Sequence, residues 1–166
     1  MKIAVDWTYD APPDEVWAMT ASTEFQDRKC AEGGALSYET SVTEQGDRTV
    51  IVATREMPTD GIPDQLRGLI GKSVTVTETQ DWGPAAADGS REARVEVAMK
   101  GQPVAMKGRA WTTVSPTSTR IDVEGDVKAK IPLIGGRIEK AVGPVIRAAI
   151  ESEAQVGKEW LATHAG

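Results

Sequence analysis

The sequence predicts an α+β fold: a curved antiparallel sheet of seven strands around a long C-terminal helix, with two short helices between strands one and two. Three observations carry that reading. Ile138, Val142, Val145, Ala149, Val156 and Trp160 recur at spacings of three and four or their sum, which gathers them on one stripe of a helix. Upstream, segment after segment alternates apolar and polar residues with turn residues between, the period of strands in hairpins. No internal repeat, low-complexity tract or linker interrupts this order, so one domain over residues 1–166 is expected.

In the first segment Ile3, Val5, Trp7 and Tyr9 alternate with Lys2, Ala4, Asp6 and Thr8, as in a half-buried strand. Ala11-Pro12-Pro13 stops it, and Pro13-Asp14-Glu15 sets a proline and two acids in a first helical turn, where both are favourable. A short helix with Val16, Trp17 and Met19 follows. Ser22 or Thr23 then caps a second one over Glu24 to Ala31, ended by Gly33-Gly34. Strands over Ala35 to Thr43 and Thr49 to Met57 make a hairpin around Glu44-Gln45-Gly46-Asp47. A loop from Pro58 to Pro63 leads to one or two helical turns over Asp64 to Leu69. Ser73 to Trp82, Arg91 to Lys100, Val104 to Val114 and Thr119 to Ile131 complete the strands. The last of these keeps Arg120, Asp122, Glu124, Asp126, Lys128 and Lys130 on one face, which therefore lies in water. A helix from Arg137 to Thr163 is roughly 40 Å long at about 1.5 Å per residue, the one element long enough to fill the concave face of the sheet.

With 40% apolar residues the chain is neither disordered nor fibrous. A net charge of −6 with no basic run argues against nucleic acid, which needs clustered Lys and Arg. No stretch of about 18 apolar residues exists, so no stable membrane insertion is expected, and the first ten residues lack the apolar core of a signal peptide. Cys30 is the only cysteine and has no internal disulfide partner. A cytoplasmic monomer or homodimer is the simplest expectation.

Ala11-Pro12-Pro13-Asp14-Glu15-Val16-Trp17 resembles the acidic, proline-led start of the first helix in the START/Bet v1-like (SRPBCC) superfamily of polyketide cyclases and lipid-transfer domains. Ile131-Pro132-Leu133-Ile134-Gly135-Gly136-Arg137-Ile138-Glu139 and Trp160-Leu161 are similar to the closing helix of an uncharacterised bacterial branch. The resemblance implies a helix-grip fold with a cavity between sheet and long helix that holds an apolar or amphipathic small molecule. The Glu44–Asp47 hairpin lacks the glycine-rich loop of the plant pollen-allergen branch, so a plant-hormone type of site does not carry over.

Few residues are equipped for chemistry. His164, the only histidine, stands next to the C-terminus, so neither a nucleophile–histidine system nor a histidine-based metal centre is expected, and no cofactor is implied. Cys30 reads as a buried small hydrophobe. Gly135-Gly136 either presents N–H groups to an anion or lets the chain swing from strand to helix. Gly143-Pro144 removes a helical hydrogen bond. Five tryptophans against one Phe and two Tyr concentrate the aromatic surface in side chains that are polar at one end, as core or as pocket wall. Parity turns Glu78 and Gln80 inward with Val74, Val76 and Trp82, and Arg55 inward with Ile51, Ala53 and Met57. Glu153 lies about 60° from the centre of the helical stripe.

Three functions are compatible with these residues. The first is binding, transport or sequestration of a hydrophobic small molecule or lipid, with Val5, Trp7, Trp17, Val76, Glu78, Trp82, Val95, Val97, Val123, Val142, Val145 and Ala149 as the expected wall. The second is a cyclase or dehydratase acting on a polyketide-like substrate, with Glu78 or Glu153 as general acid/base. The third is an interaction or dimerisation module whose grip is filled by its own side chains.

Overall fold

Ile3, Val5, Trp7 and Tyr9 are buried and the residues between them are exposed along β1 (Lys2–Tyr9), as alternation requires. The computed structural model describes residues 1–164. Pro13 opens α1 (Pro13–Thr20), and Ser22 caps α2 (Thr23–Glu32) by accepting the backbone N–H of Phe25 at 3.1 Å. β2 (Ser37–Gln45) returns as β3 (Arg48–Pro58) through Gly46-Asp47, with Gly46 at a φ of 65°. A loop and α3 (Asp64–Ile70) lead into β4 (Ser73–Trp82), β5 (Glu92–Met99), β6 (Val104–Val114) and β7 (Thr119–Ala129). α4 (Gly135–His164) closes the order and runs through Pro144 without ending.

The seven strands form one antiparallel sheet in the order β1-β7-β6-β5-β4-β3-β2. Successive hairpins build β2 to β7, while α1 and α2 carry the chain from one edge strand to the other. The backbones of β6 and β7 come close where Gly108 faces Gly125: a Cβ on Gly108 would run into the Glu124 carbonyl and the Gly125 backbone. This is the α+β helix-grip arrangement, a curved sheet holding one long terminal helix. No helix among the described residues is long and apolar enough to cross a membrane.

α4 rests on β1 and β7 and is flanked by α1 and α2. Its buried apolar side chains are Ile138, Val142, Ile146, Ala154 and Val156. The stripe thus passes through Ile146, and Val145, which the sequence spacing turns inward, is 39% exposed. The helix sits over one side of the sheet, so its inward direction points at β1 and β7, and Val145 and Ala149 turn toward the uncovered strands. A Cβ on Gly157 would collide with the Tyr9 hydroxyl, so the far end of α4 docks on β1 only because that position is glycine. Gly135 approaches the Ala129 carbonyl in the same way, the second of the two uses expected for Gly135-Gly136.

Candidate functional site

Because α4 covers β1 and β7, the concave face of β3 to β6 has little above it. The gap is a cavity of about 140 Å³, counted as space open to the centres of water molecules. A single buried water needs roughly 10–15 Å³ by that measure, so this is room for a ligand and no packing defect. Ile62, from the loop between β3 and α3, closes one side of it and is itself buried.

Of the expected wall residues, Trp7, Val76, Glu78, Trp82, Val95, Val97 and Val123 line this cavity from the sheet, and Val145 and Ala149 line it from α4. Val5 and Val142 do not reach it. Both are buried in the packed seam where α4 meets β1 and β7, so facing inward was not the same as facing the void. Trp17 lines a smaller neighbouring cleft with Trp7, Tyr9, Arg91 and Glu153, where the Arg91 guanidinium lies over its ring at 3.8 Å. Trp111 is outside both, stacked beneath Arg109 at 4.2 Å.

One end of the cavity is polar. Glu78 of β4 accepts three hydrogen bonds: from Lys29 Nζ at 2.9 Å, from Arg55 of β3 at 2.5 Å, and from the Gln80 amide at 2.5 Å. Gln80 in turn accepts the Trp82 indole N–H at 2.9 Å. Lys29 also donates to Glu153 of α4 at 3.2 Å, so two helices and two strands meet in one ionic cluster. Lys29 is 4% exposed. A charge so buried persists only when paired.

The two carboxylates are held in opposite directions. Burial alone would raise the Glu78 pKa, but the Lys29 and Arg55 charges outweigh it and bring the group down to about 2. For Glu153 burial prevails over Lys29, and the Glu78 charge adds to it, so its carboxyl titrates above the usual carboxylate range. The Lys29 ammonium is held up by Glu153 and Glu78 against its own desolvation. Cys30 is fully buried and burial pushes its thiol up, in keeping with a packing residue.

Two buried polar atoms, the Trp7 indole N–H and the Tyr9 hydroxyl on the smaller cleft, have no well-formed hydrogen bond among the described residues, and the Trp7 N–H is the near donor to that hydroxyl. His164 lies far along α4, exposed and stacked on Trp160 with ring centroids 4.0 Å apart. Among the described residues no three His, Cys, Asp or Glu side chains are grouped to hold a metal ion.

A sequence profile for a protein family of unknown function, DUF2505, matches residues 4–161. The chain belongs to the DUF2505 family. An uncharacterised protein of Mycobacterium tuberculosis is 25% identical to this DUF2505 chain over 118 residues, 69% of this chain and 67% of that one. The aromatase/cyclase ZhuI of Streptomyces sp. R1128 superposes with a TM-score of 0.68 at 14% identity, over 100% of this chain and 98% of its own. A START superfamily protein of Mycobacterium smegmatis does so with a TM-score of 0.56 at 11% identity, over 96% and 98%. At such identities the likeness is one of fold, and the DUF2505 chain has the START/Bet v1-like (SRPBCC) fold.

Strand parity turns Glu78, Gln80 and Arg55 of this DUF2505 chain inward and helical spacing sets Glu153 about 60° from the centre of its stripe, and the four meet in one cluster. The residue these patterns overlook is Lys29, which joins them. The signal was present: Lys29 follows Phe25 by four and Gln26 by three, so it shares the buried face of α2.

Proposed function

We propose that this DUF2505 protein binds a small, largely apolar molecule between sheet and α4, with the molecule's polar end against Lys29, Arg55, Glu78 and Glu153. The observation that carries this reading is the cavity itself, apolar along most of its wall and ionic at one end. Apolar burial supplies the affinity at roughly 25 cal/mol per Å² removed from water. The void also weighs against a grip filled by the chain's own side chains.

The test uses N-phenyl-1-naphthylamine, an uncharged apolar fluorophore. Its emission is expected to rise on saturable binding to the purified protein. Ala149→Trp, which fills the cavity from α4, should weaken that binding at least ~10-fold, about 1.4 kcal/mol, with cooperative unfolding retained. Equal binding by the variant, or none by the parent protein, removes the reading.

The aromatase/cyclase neighbour and the inward carboxylates support a second reading, acid–base chemistry on a bound polyketide-like molecule. Glu153 is the better candidate, because Glu78 is tied down by three donors. Incubation with a poly-β-keto thioester analogue, followed by mass spectrometry, tests it. A dehydrated or cyclised product lost in Glu153→Gln supports the enzyme, and an unchanged analogue leaves the binder.

A further inference from the structure

The polar end of the cavity holds more hydrogen-bond donors than acceptors. The Lys29 ammonium has three N–H bonds and spends two, on Glu78 and Glu153. The Arg55 guanidinium has five and spends one on Glu78, with a long contact of 4.0 Å to Cys30 Sγ. On the acceptor side, Glu78 already takes three donors and the Gln80 oxygen takes Trp82. Glu153, with one donor, keeps acceptor sites of its own, and the unspent donors of Lys29 and Arg55 suit a ligand that brings acceptors.

The charges define the acceptor further. Lys29 and Arg55 balance Glu78 and Glu153 when all four are ionised. An anionic ligand adds one negative charge in a site where water cannot screen it, and one carboxylate must then give way. Glu78 cannot, being held by two cations and an amide. Glu153 can: it has a single donor, Lys29, and its side chain is 21% exposed. The groups that face it are Lys29 from α2, Glu78 from β4, Arg55 from β3 and Tyr9 from β1, with Arg91 on the wall of the adjoining cleft.

We propose that the cavity's ligand is an apolar carboxylic acid whose carboxylate docks on Lys29 and Arg55, and that Glu153 takes up one proton as it binds. This rests on the cavity being a ligand site. Lys29 offers the ligand its unspent N–H, and the proton gained by Glu153 restores the charge balance. The sign follows: the complex holds a proton that the free protein has released at alkaline pH, so binding tightens as pH falls from 8.5 to 6.5, at most about tenfold per unit for one proton.

The test is displacement of N-phenyl-1-naphthylamine by decanoic acid, decanamide and decan-1-ol, with calorimetry of the acid at pH 8 in phosphate and in Tris to count protons. The acid should bind at least ~10-fold tighter than either neutral probe. It should take up close to one proton, and Glu153→Gln should keep the acid preference while abolishing proton uptake and flattening the pH dependence. Neutral probes that bind as tightly as the acid overturn the carboxylate proposal and leave the cavity reading standing. Acid preference without proton uptake overturns the role of Glu153. Failure of the fluorophore and of all three probes overturns the cavity reading itself.

Discussion

Lys29→Met is expected to destabilise the protein by about 3–5 kcal/mol at pH 7.5, the cost typical of removing one partner from a buried ionic group. The methionine fills much of the same space, so packing is not the main loss. What is lost is the cation that Glu78 and Glu153 share, and both carboxylates then stand in a site that disfavours charge. Glu153, left without a donor, regains stability by taking a proton, whereas Glu78 keeps Arg55 and the Gln80 amide. The deficit against the parent protein should therefore shrink at pH 5.5, and adding Glu153→Gln should recover part of it at pH 7.5. Urea unfolding of the three proteins at the two pH values checks this, and an equal deficit at both would show that the cluster carries no such charge.

In the parent protein the two carboxylates pull stability in opposite directions. Glu78 falls from an ordinary 4.5 to about 2 on folding, so its contribution is in place above pH 4.5 and is lost as pH drops toward 2. Glu153 is shifted upward, so its contribution is present in acid and lost as pH rises through its folded value. Mildly acidic pH is where both favour the folded state.

Gly108→Ala is expected to cost about 3 kcal/mol, at the upper end for overpacking. The added methyl would meet backbone, the Glu124 carbonyl and the Gly125 Cα, and neither can swing aside as a side-chain tip could. The two strands must therefore separate locally where Gly108 faces Gly125. Gly68→Ala is the matched control. It lies in α3 with no atom near its added methyl, so it should stabilise by roughly 0.5–1 kcal/mol through helix propensity and a less flexible unfolded chain. Unfolding midpoints of the two variants, measured side by side, decide whether the close backbone approach or merely the loss of a glycine matters.

Most of the sheet was legible because strand parity is a strict two-residue period: the inward set of β4, from Val74 to Trp82, reads directly off the chain. Parity also turns Arg55 of β3 and Glu78 of β4 inward, and both line the cavity. It could not separate core from cavity, since Val5 and Val123 occupy facing register positions and only Val123 touches the void. That distinction depends on where α4 lies across the sheet. The helix was less legible for a related reason. Ile146 lies at the edge of the apolar stripe that contains Val145, about 100° round the helix from it, and the one that packs is chosen by the position of β1 and β7. Lys29 escaped because a ten-residue helix with a lysine on its buried face looks polar until its partners arrive from remote parts of the chain.

β1 has one strand neighbour among the described residues, and that neighbour is β7: Lys2 stands opposite Asp126 and Tyr9 opposite Thr119. During synthesis the apolar side of β1 therefore has nowhere to dock until nearly the whole sheet has been made. Any polypeptide cut short before Thr119 leaves Ile3, Val5, Trp7 and Tyr9 as a sticky, unpaired ribbon, a substrate for chaperones or for aggregation.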